Sequence, residues 1–114
     1  MSNAKFLVED IEYNCPIEAL SNILGRKWIG SIIWFIKEDK KRLGEIQRHL
    51  ENCSKKMLLQ QLYLLMENNI IVNEKEFINN TVESYYYLSE DGKNLLPLIE
   101  QMILWGETNL SCSE

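Results

Sequence analysis

Histidine occurs once in the 114 residues, at His49, and the three cysteines, Cys15, Cys53 and Cys112, form no CxxC pair. Structural zinc sites draw on clusters of those two residue types, so no metal is expected. The five glycines build no phosphate-cradling loop, and no motif sets a Ser, a His and an acid together. Nucleotide chemistry and hydrolysis therefore have no visible machinery, no cofactor is called for, and an enzyme is the weakest reading. Long apolar runs are missing too. The richest, IGSIIWFI at 29–36, passes directly into KEDKKR, which excludes a membrane span and a membrane partner. The start, MSNAKFLVED, has neither the basic opening nor the apolar block of a secretory signal. A cytoplasmic protein is expected, with thiols that begin free and any disulfide conditional.

What is present is enough for one domain with a real core, since 46% of the residues are hydrophobic. The net charge of −5 argues at first against nucleic acid. Its distribution points the other way. Residues 26–56 hold nine basic against four acidic side chains, net +5, and the remainder holds three against thirteen, net −10. Binding responds to local potential within a Debye length of roughly 8 Å, so a basic middle between acidic ends fits a phosphate-facing patch. On charge alone, an ordinary solvated stretch reads the same way.

The apolar periodicity orders the chain. Residues 1–13 are expected to form an N-terminal arm or short helix. Pro16 suits the first position of a helix that Gly25 ends. A second helix is predicted from Arg26 to about Glu38, burying Trp28, Ile32, Phe35 and Ile36, with EDKK as its polar exit. A third, Leu43 to Leu50, is followed by the break ENC and by Ser54 as an N-cap. From there Leu58, Leu62 and Leu65 recur at i, i+4 and i+7, a single buried stripe, until Asn69 offers a left-handed exit. The period then changes to that of strands at 70–78 and 81–89 around Asn79-Asn80, a hairpin turn. Ser89 opens a last helix over 90–110, in which Pro97 marks a kink or a delayed start.

Helix, short turn, helix and then a two-stranded ribbon is the winged helix-turn-helix order. The fold class expected is mainly α with a small β-hairpin. In that arrangement the first turns of the helix 54–68 reach the major groove. Ser54 and Lys55 read as backbone anchors, while Lys56, Gln60 and Gln61 have the chemistry to reach base edges. A bland surface helix would carry lysine and glutamine as well, and a winged-helix protein-interaction module without specific DNA binding is the alternative. Cys15 precedes Pro16, so its thiol sits at a helix N-terminus, where the dipole favours the reactive thiolate. A small buried apolar residue is the bland reading of the same cysteine.

Cys15-Pro16, Gly25 with Lys27-Trp28, Arg42-Leu43 with Glu45-Ile46, SKKMLLQQLYLL at 54–65 and YYYLSEDG at 85–92 together resemble the HxlR-type family of bacterial transcriptional regulators, over about residues 14–106. The resemblance implies double-stranded DNA as partner, a homodimer joined largely by extra N- and C-terminal helices, and control of transcription, more commonly repression, at a palindromic operator. It also implies phosphate contacts from Lys27 and Arg42, and makes Cys15 the candidate sensor of an oxidant or small electrophile. The chain departs from the family pattern at Ser84-Tyr85-Tyr86 and at the wing tip, where Asn79, Asn80 and Thr81 stand in place of Pro and Arg and are expected to bond phosphates. It departs again at Leu59, Tyr63, Leu64 and Met66, where polar residues are usual. Leu59 and Tyr63 follow the base-facing side, so one of them is expected against a thymine methyl or sugar edge. Leu64 and Met66 are expected to need cover from the wing or a partner protomer.

Overall fold

A computed structural model describes residues 4–111; Cys112 lies outside them. The described chain opens with a hairpin of β1 (Phe6–Val8) and β2 (Ile11–Tyr13), paired antiparallel with Val8 opposite Ile11. Glu9 and Asp10 both hold positive φ, 50° and 63°, the backbone of a tight hairpin turn that matches strand twist. Among the described residues no short helix forms ahead of Pro16. Val8 is buried and anchors the hairpin to the body, a contact that no local pattern announces.

Helix α1 (Pro16–Leu24) begins at its proline, with extended Cys15 as N-cap, and buries Ala19 and Ile23. Gly25 ends it through close approach rather than a left-handed backbone. Its N–H donates to the Ser21 carbonyl at 2.8 Å, and an added Cβ would stand 2.8 Å from that same oxygen. Helix α2 (Ile29–Phe35) starts three residues later than the periodicity predicts and ends sooner. Arg26-Lys27-Trp28 is spent on a turn in which Trp28 takes a φ of 71°, uncommon for an aromatic residue. That delay sets the buried face as Ile29, Ile32, Ile33 and Ile36, with Trp28, Trp34 and Phe35 half-buried at its rim.

The expected polar exit contains a strand. β3 (Lys41–Arg42) leads into α3 (Leu43–His49), and after a turn comes α4 (Lys55–Glu67). The ribbon is β4 (Ile71–Ile78) and β5 (Thr81–Leu88), in register from Ile71 opposite Leu88 to Ile78 opposite Thr81. β3 adds to its far side, Lys41 opposite Tyr86 and Arg42 opposite Tyr85, giving the sheet order β3-β5-β4. Asn79 and Asn80, at φ 50° and 64°, make the two-residue turn.

Leu58, Leu62 and Leu65 are fully buried against Ile29, Ile32, Ile33 and Ile46, each worth roughly 2 kcal/mol of apolar transfer. Asn69, at φ 57°, closes α4: its N–H reaches the Met66 carbonyl and that of Ile70 the Leu65 carbonyl, satisfying the helix's last acceptors. The predicted single helix over 90–110 is two. Ser89 caps a four-residue turn, α5 (Glu90–Lys93), and α6 (Leu96–Asn109) starts anew with Pro97 in its first turn, where the missing N–H costs nothing. The Ser89 hydroxyl donates to the Asn69 carbonyl at 2.6 Å and accepts from Gly92 at 3.0 Å, joining the end of α4 to the start of α5. Along α6 only Ile99 is buried; Leu98, Met102, Leu104 and Trp105 are exposed, Trp105 by 63%.

Candidate nucleic-acid interface

Helices α3 and α4 are joined by a short turn in which Asn52 takes a φ of 60°. Gln47 holds this turn by donating from Nε2 to the Cys53 carbonyl at 3.3 Å. The Cys53 side chain is buried, and burial pushes its thiol up from the ordinary value, against the smaller opposing pull of the Lys27 charge. A protonated, covered thiol is inert, so the turn carries a packing residue. The interaction with Cys53 also places Lys27, exposed in the α1–α2 turn, on this side of the molecule. Its ammonium lies 4.7 Å from the centre of the Trp28 ring.

Ser54 begins α4 as expected, its Oγ accepting from the Met57 N–H at 3.1 Å. The hydroxyl proton stays available for an outside acceptor, beside the remaining free amides of the first turn. Lys55 and Lys56 are exposed next to it. The face opposite the buried leucines then runs Lys56, Gln60, Tyr63 and Glu67, spaced i, i+4, i+7 and i+11, all exposed, Tyr63 by 59%. Leu59 is half-buried at the edge of this stripe. The chemistry that faces outward is therefore cation, amide and phenol in succession, and the helix that carries it cannot rotate without exposing three leucines.

Gln61 departs from its expected role. It turns toward the body, half-buried, and its Oε1 is buried with no hydrogen-bond partner among the described residues, because one residue past Gln60 the helix has rotated about 100° off the outward face. Leu64 and Met66 need no partner protomer. Leu64 is buried and Met66 half-buried against the protomer's own core, and Leu64 borders a recess of about 330 Å³ that Glu9 and Arg26 also line. The unforeseen N-terminal hairpin brings Glu9 there. Glu9 pairs with Arg26, which further donates to the Asn22 side chain at 2.8 Å.

Arg42 is exposed at the N-cap of α3, but it is not free. Its Nη2 donates to the Tyr85 hydroxyl at 3.4 Å and its Nε lies 3.7 Å from Glu83 Oε2. The Tyr85 hydrogen bond and then the Glu83 charge raise its pKa. On the same ring, Lys40 sits 4.5 Å from the centroid while bonding Glu76 at 2.5 Å, so Tyr85 has two cations beside it. Spacing along the sequence gives no sign of this place for Tyr85; it follows from the β3–β5 register, which puts Arg42 directly opposite it. Exchanging Glu83 for a phosphate costs little, since Arg42 is exposed and holds the half-buried Glu83 only at long range. Lys41, opposite Tyr86, points the other way, 5.2 Å from the Phe35 ring.

Asn79, Asn80 and Thr81 are exposed at the ribbon tip, apart from α4. Cys15 is a half-buried free thiol between β2 and α1; its side chain makes no capping hydrogen bond. Among the described residues no helix is long and apolar enough to cross a membrane.

A model of the HxlR-like helix-turn-helix family matches residues 23–114. The uncharacterized HTH-type transcriptional regulator YybR of Bacillus subtilis (strain 168) is 33% identical over 109 residues, 96% of this chain and 86% of that protein. The HTH-type transcriptional regulator YodB of the same organism is 33% identical over 95 residues, 82% of this chain and 83% of its own length. Among solved structures, the redox regulator HypR in its reduced form superposes with a TM-score of 0.78 at 32% identity, covering 83% of this chain and 93% of that one. The reduced form of YodB gives 0.73 at 30%, covering 88% and 98%. The chain belongs to the HxlR-like helix-turn-helix family of transcriptional regulators.

Proposed function

We propose that this HxlR-family regulator binds a palindromic operator as a homodimer and represses transcription there, with α4 in the major groove. The observation that carries the reading is the outward stripe of Lys56, Gln60 and Tyr63, rising from a Ser54-capped N-terminus on a helix locked by fully buried Leu58, Leu62 and Leu65. Lys56 and Gln60 carry base-edge donors and acceptors, Leu59 and Tyr63 the apolar surface for a thymine methyl or a sugar. Ser54, Lys55, Lys27 and Arg42 supply phosphate contacts that set register, and Asn79, Asn80 and Thr81 reach backbone from the wing. The entire chain acts as one winged-helix domain, in which the region 90–110 supplies the dimer contact.

The dimer reading rests on α6. Leu98, Met102, Leu104 and Trp105 leave it exposed on a helix that is apolar for most of its length, and Ile17 of α1 is exposed by 73% nearby across an apolar groove that Leu98 and Met102 also line. Leu98, Met102 and Trp105, spaced i, i+4 and i+7, share one exposed apolar face of α6, and such a face marks a protein contact. Two α4 helices about 34 Å apart would then meet successive major grooves. Oxidation or electrophile attack at Cys15, the N-cap of the α1 that borders the groove, would alter that separation. Solved relatives include HypR in its oxidized form and YodB treated with diamide, which supports a thiol switch here.

The test is to let the protein select duplexes from a random pool, then measure affinity for the selected and a scrambled duplex together with sedimentation of the free protein. A dimer that selects an inverted repeat supports the reading. A protein that selects no sequence, dimeric or not, overturns it in favour of a protein-interaction module. For the switch, Cys15→Ser is compared with the parent before and after a thiol oxidant; an equal response in both removes Cys15 from the mechanism.

A further inference from the structure

Arg26 stands in the turn between α1 and α2, one residue before Lys27, and its guanidinium is held from two sides. Asn22, one helical turn back, takes two of its bonds: Nε donates to the Asn22 carbonyl at 3.1 Å and Nη2 to Asn22 Oδ1 at 2.8 Å. Glu9, at the tip of the N-terminal hairpin, takes a third, again from Nη2. Nη1 makes no hydrogen bond among the described residues. Asn22 therefore fixes the group in place whether or not Glu9 is bound, with one nitrogen unspent. Arg26 and Glu9 also line the recess that Gln60, Tyr63 and Glu67 of the outward stripe border. The guanidinium thus lies beside the surface of α4 that the proposed function sets in the major groove.

Against Arg26 the recess sets two carboxylates, Glu9 and Glu67, a net −1 at the end of a surface offered to a polyanion. That charge resists DNA as long as Arg26 is spent on Glu9. The pair itself is weak, because its side chains are 31% and 46% exposed and an ion pair in contact with water contributes little. A phosphate accepts the same charge-assisted bonds, and neutralising it releases counterions, which pairing with Glu9 does not. We propose that Arg26 is a further phosphate contact beside the groove entered by α4, and that Glu9 is its competitor within the chain, holding the guanidinium in the free protein and lowering the affinity. This assignment rests on the DNA reading above and gives the N-terminal hairpin, anchored by buried Val8, a part in setting how tightly the regulator binds. A phosphate contact carries no sequence information, so its effect is the same on a selected and a scrambled duplex.

The experiment uses the full chain, a duplex it has itself selected and a scrambled one. Affinity is measured from about 50 to 200 mM salt for the parent, Glu9→Gln, Arg26→Ala, the double variant and Lys56→Ala. Arg26→Ala is expected to weaken binding to both duplexes alike and, counted over both protomers, to reduce the salt slope by at most about 1.8. Should it fail to fold, Arg26→Gln, which drops the charge but keeps an amide donor for Asn22, carries the same expectations. Glu9→Gln is expected to tighten binding roughly two- to fivefold per half-site. The tightening should be smaller in the Arg26→Ala background, since a competitor acts only through Arg26, whereas a merely repulsive carboxylate acts at least as strongly once its partner is gone. Tightening as large or larger in that background overturns the competition. If Arg26→Ala keeps the affinity and slope of the parent while Lys56→Ala is weakened, the Arg26 contact is wrong and the DNA reading stands. If the parent selects no duplex, both fall.

Discussion

Replacing Gly92 by alanine should cost more than its single methyl suggests. A Cβ built there stands 2.0 Å from the Ile70 carbonyl oxygen, 3.0 Å from the Ile70 carbon and 3.3 Å from Leu88 Cδ2. The nearest two are backbone atoms, so no rotamer change relieves the clash, and α5 must move off the α4–β4 junction by at least about 1 Å. That movement loosens the Ser89 N–H to Ile70 carbonyl bond and the Gly92 N–H to Ser89 Oγ bond, both 3.0 Å, at about 1 kcal/mol each. Overpacking strain adds about 1 to 3 kcal/mol, and the better helix propensity of alanine returns about 1. The net loss is about 2 to 4 kcal/mol. Urea denaturation at fixed protein concentration should show it as a midpoint lowered by about 1 to 2 M at unchanged slope. Gly106→Ala is the control, because a Cβ there meets only Leu110 Cδ1 at 3.7 Å, and it should be neutral or mildly stabilising. A Gly92→Ala protein within about 0.5 kcal/mol of the parent would refute the reasoning.

Ser54→Ala removes the hydroxyl that accepts the Met57 N–H and should lower stability by about 1 kcal/mol, measurable in the same titration; Ser54→Asp, which keeps a cap acceptor, should restore most of it. Cys53 should resist a thiol reagent in the native protein and react only after denaturant is added, since burial both covers it and raises its pKa; fast native labelling at Cys53 would contradict the packing described. The Lys40–Glu76 pair sets a pH window. Lys40 holds the Glu76 carboxyl below its ordinary value of 4.5, so this contribution is present above that value and lost as pH falls through the lowered one. Glu76 raises Lys40 above 10.5, so it is present below that value and lost as pH rises through the raised one. The stability difference between the parent and Glu76→Gln should be small, constant from about pH 5 to 10, and should close at either extreme.

The parts of this molecule legible in the sequence are those decided locally. Leu58, Leu62 and Leu65 announce α4 through spacing alone, Ser54 its start, and Asn69 its end. Asn79-Asn80 announces the wing turn because few residues accept two consecutive positive φ values. What was not legible depends on distant contacts. The two residues of β3 are a strand only because Tyr85 and Tyr86 lie alongside. Trp28 takes a left-handed backbone only because the Ile29, Ile32, Ile33 and Ile36 face must reach the core. The acidic pair Glu9-Asp10 gives little sign of a turn until Val8 is seen buried. The interface shows the same division. Lys55, Lys56, Gln60 and Tyr63 fall on the outward side of a helix whose phase the leucines determine. At Gln61 the helix phase outweighs polarity and turns the side chain inward, and the partners of Arg42 are invisible without a strand register.

Whether the outward stripe of α4 reads DNA sequence is decided by one comparison of variants. Lys56→Ala and Gln60→Ala are titrated onto the selected duplex and a scrambled one across a salt series. Gln60→Ala should lose discrimination by about 1 to 3 kcal/mol per half-site and leave the salt slope alone. Lys56→Ala should lower the affinity and, counted over both protomers, reduce that slope by at most about 1.8 where it also neutralises phosphate. If both variants discriminate the two duplexes as well as the parent does, the stripe does not read sequence.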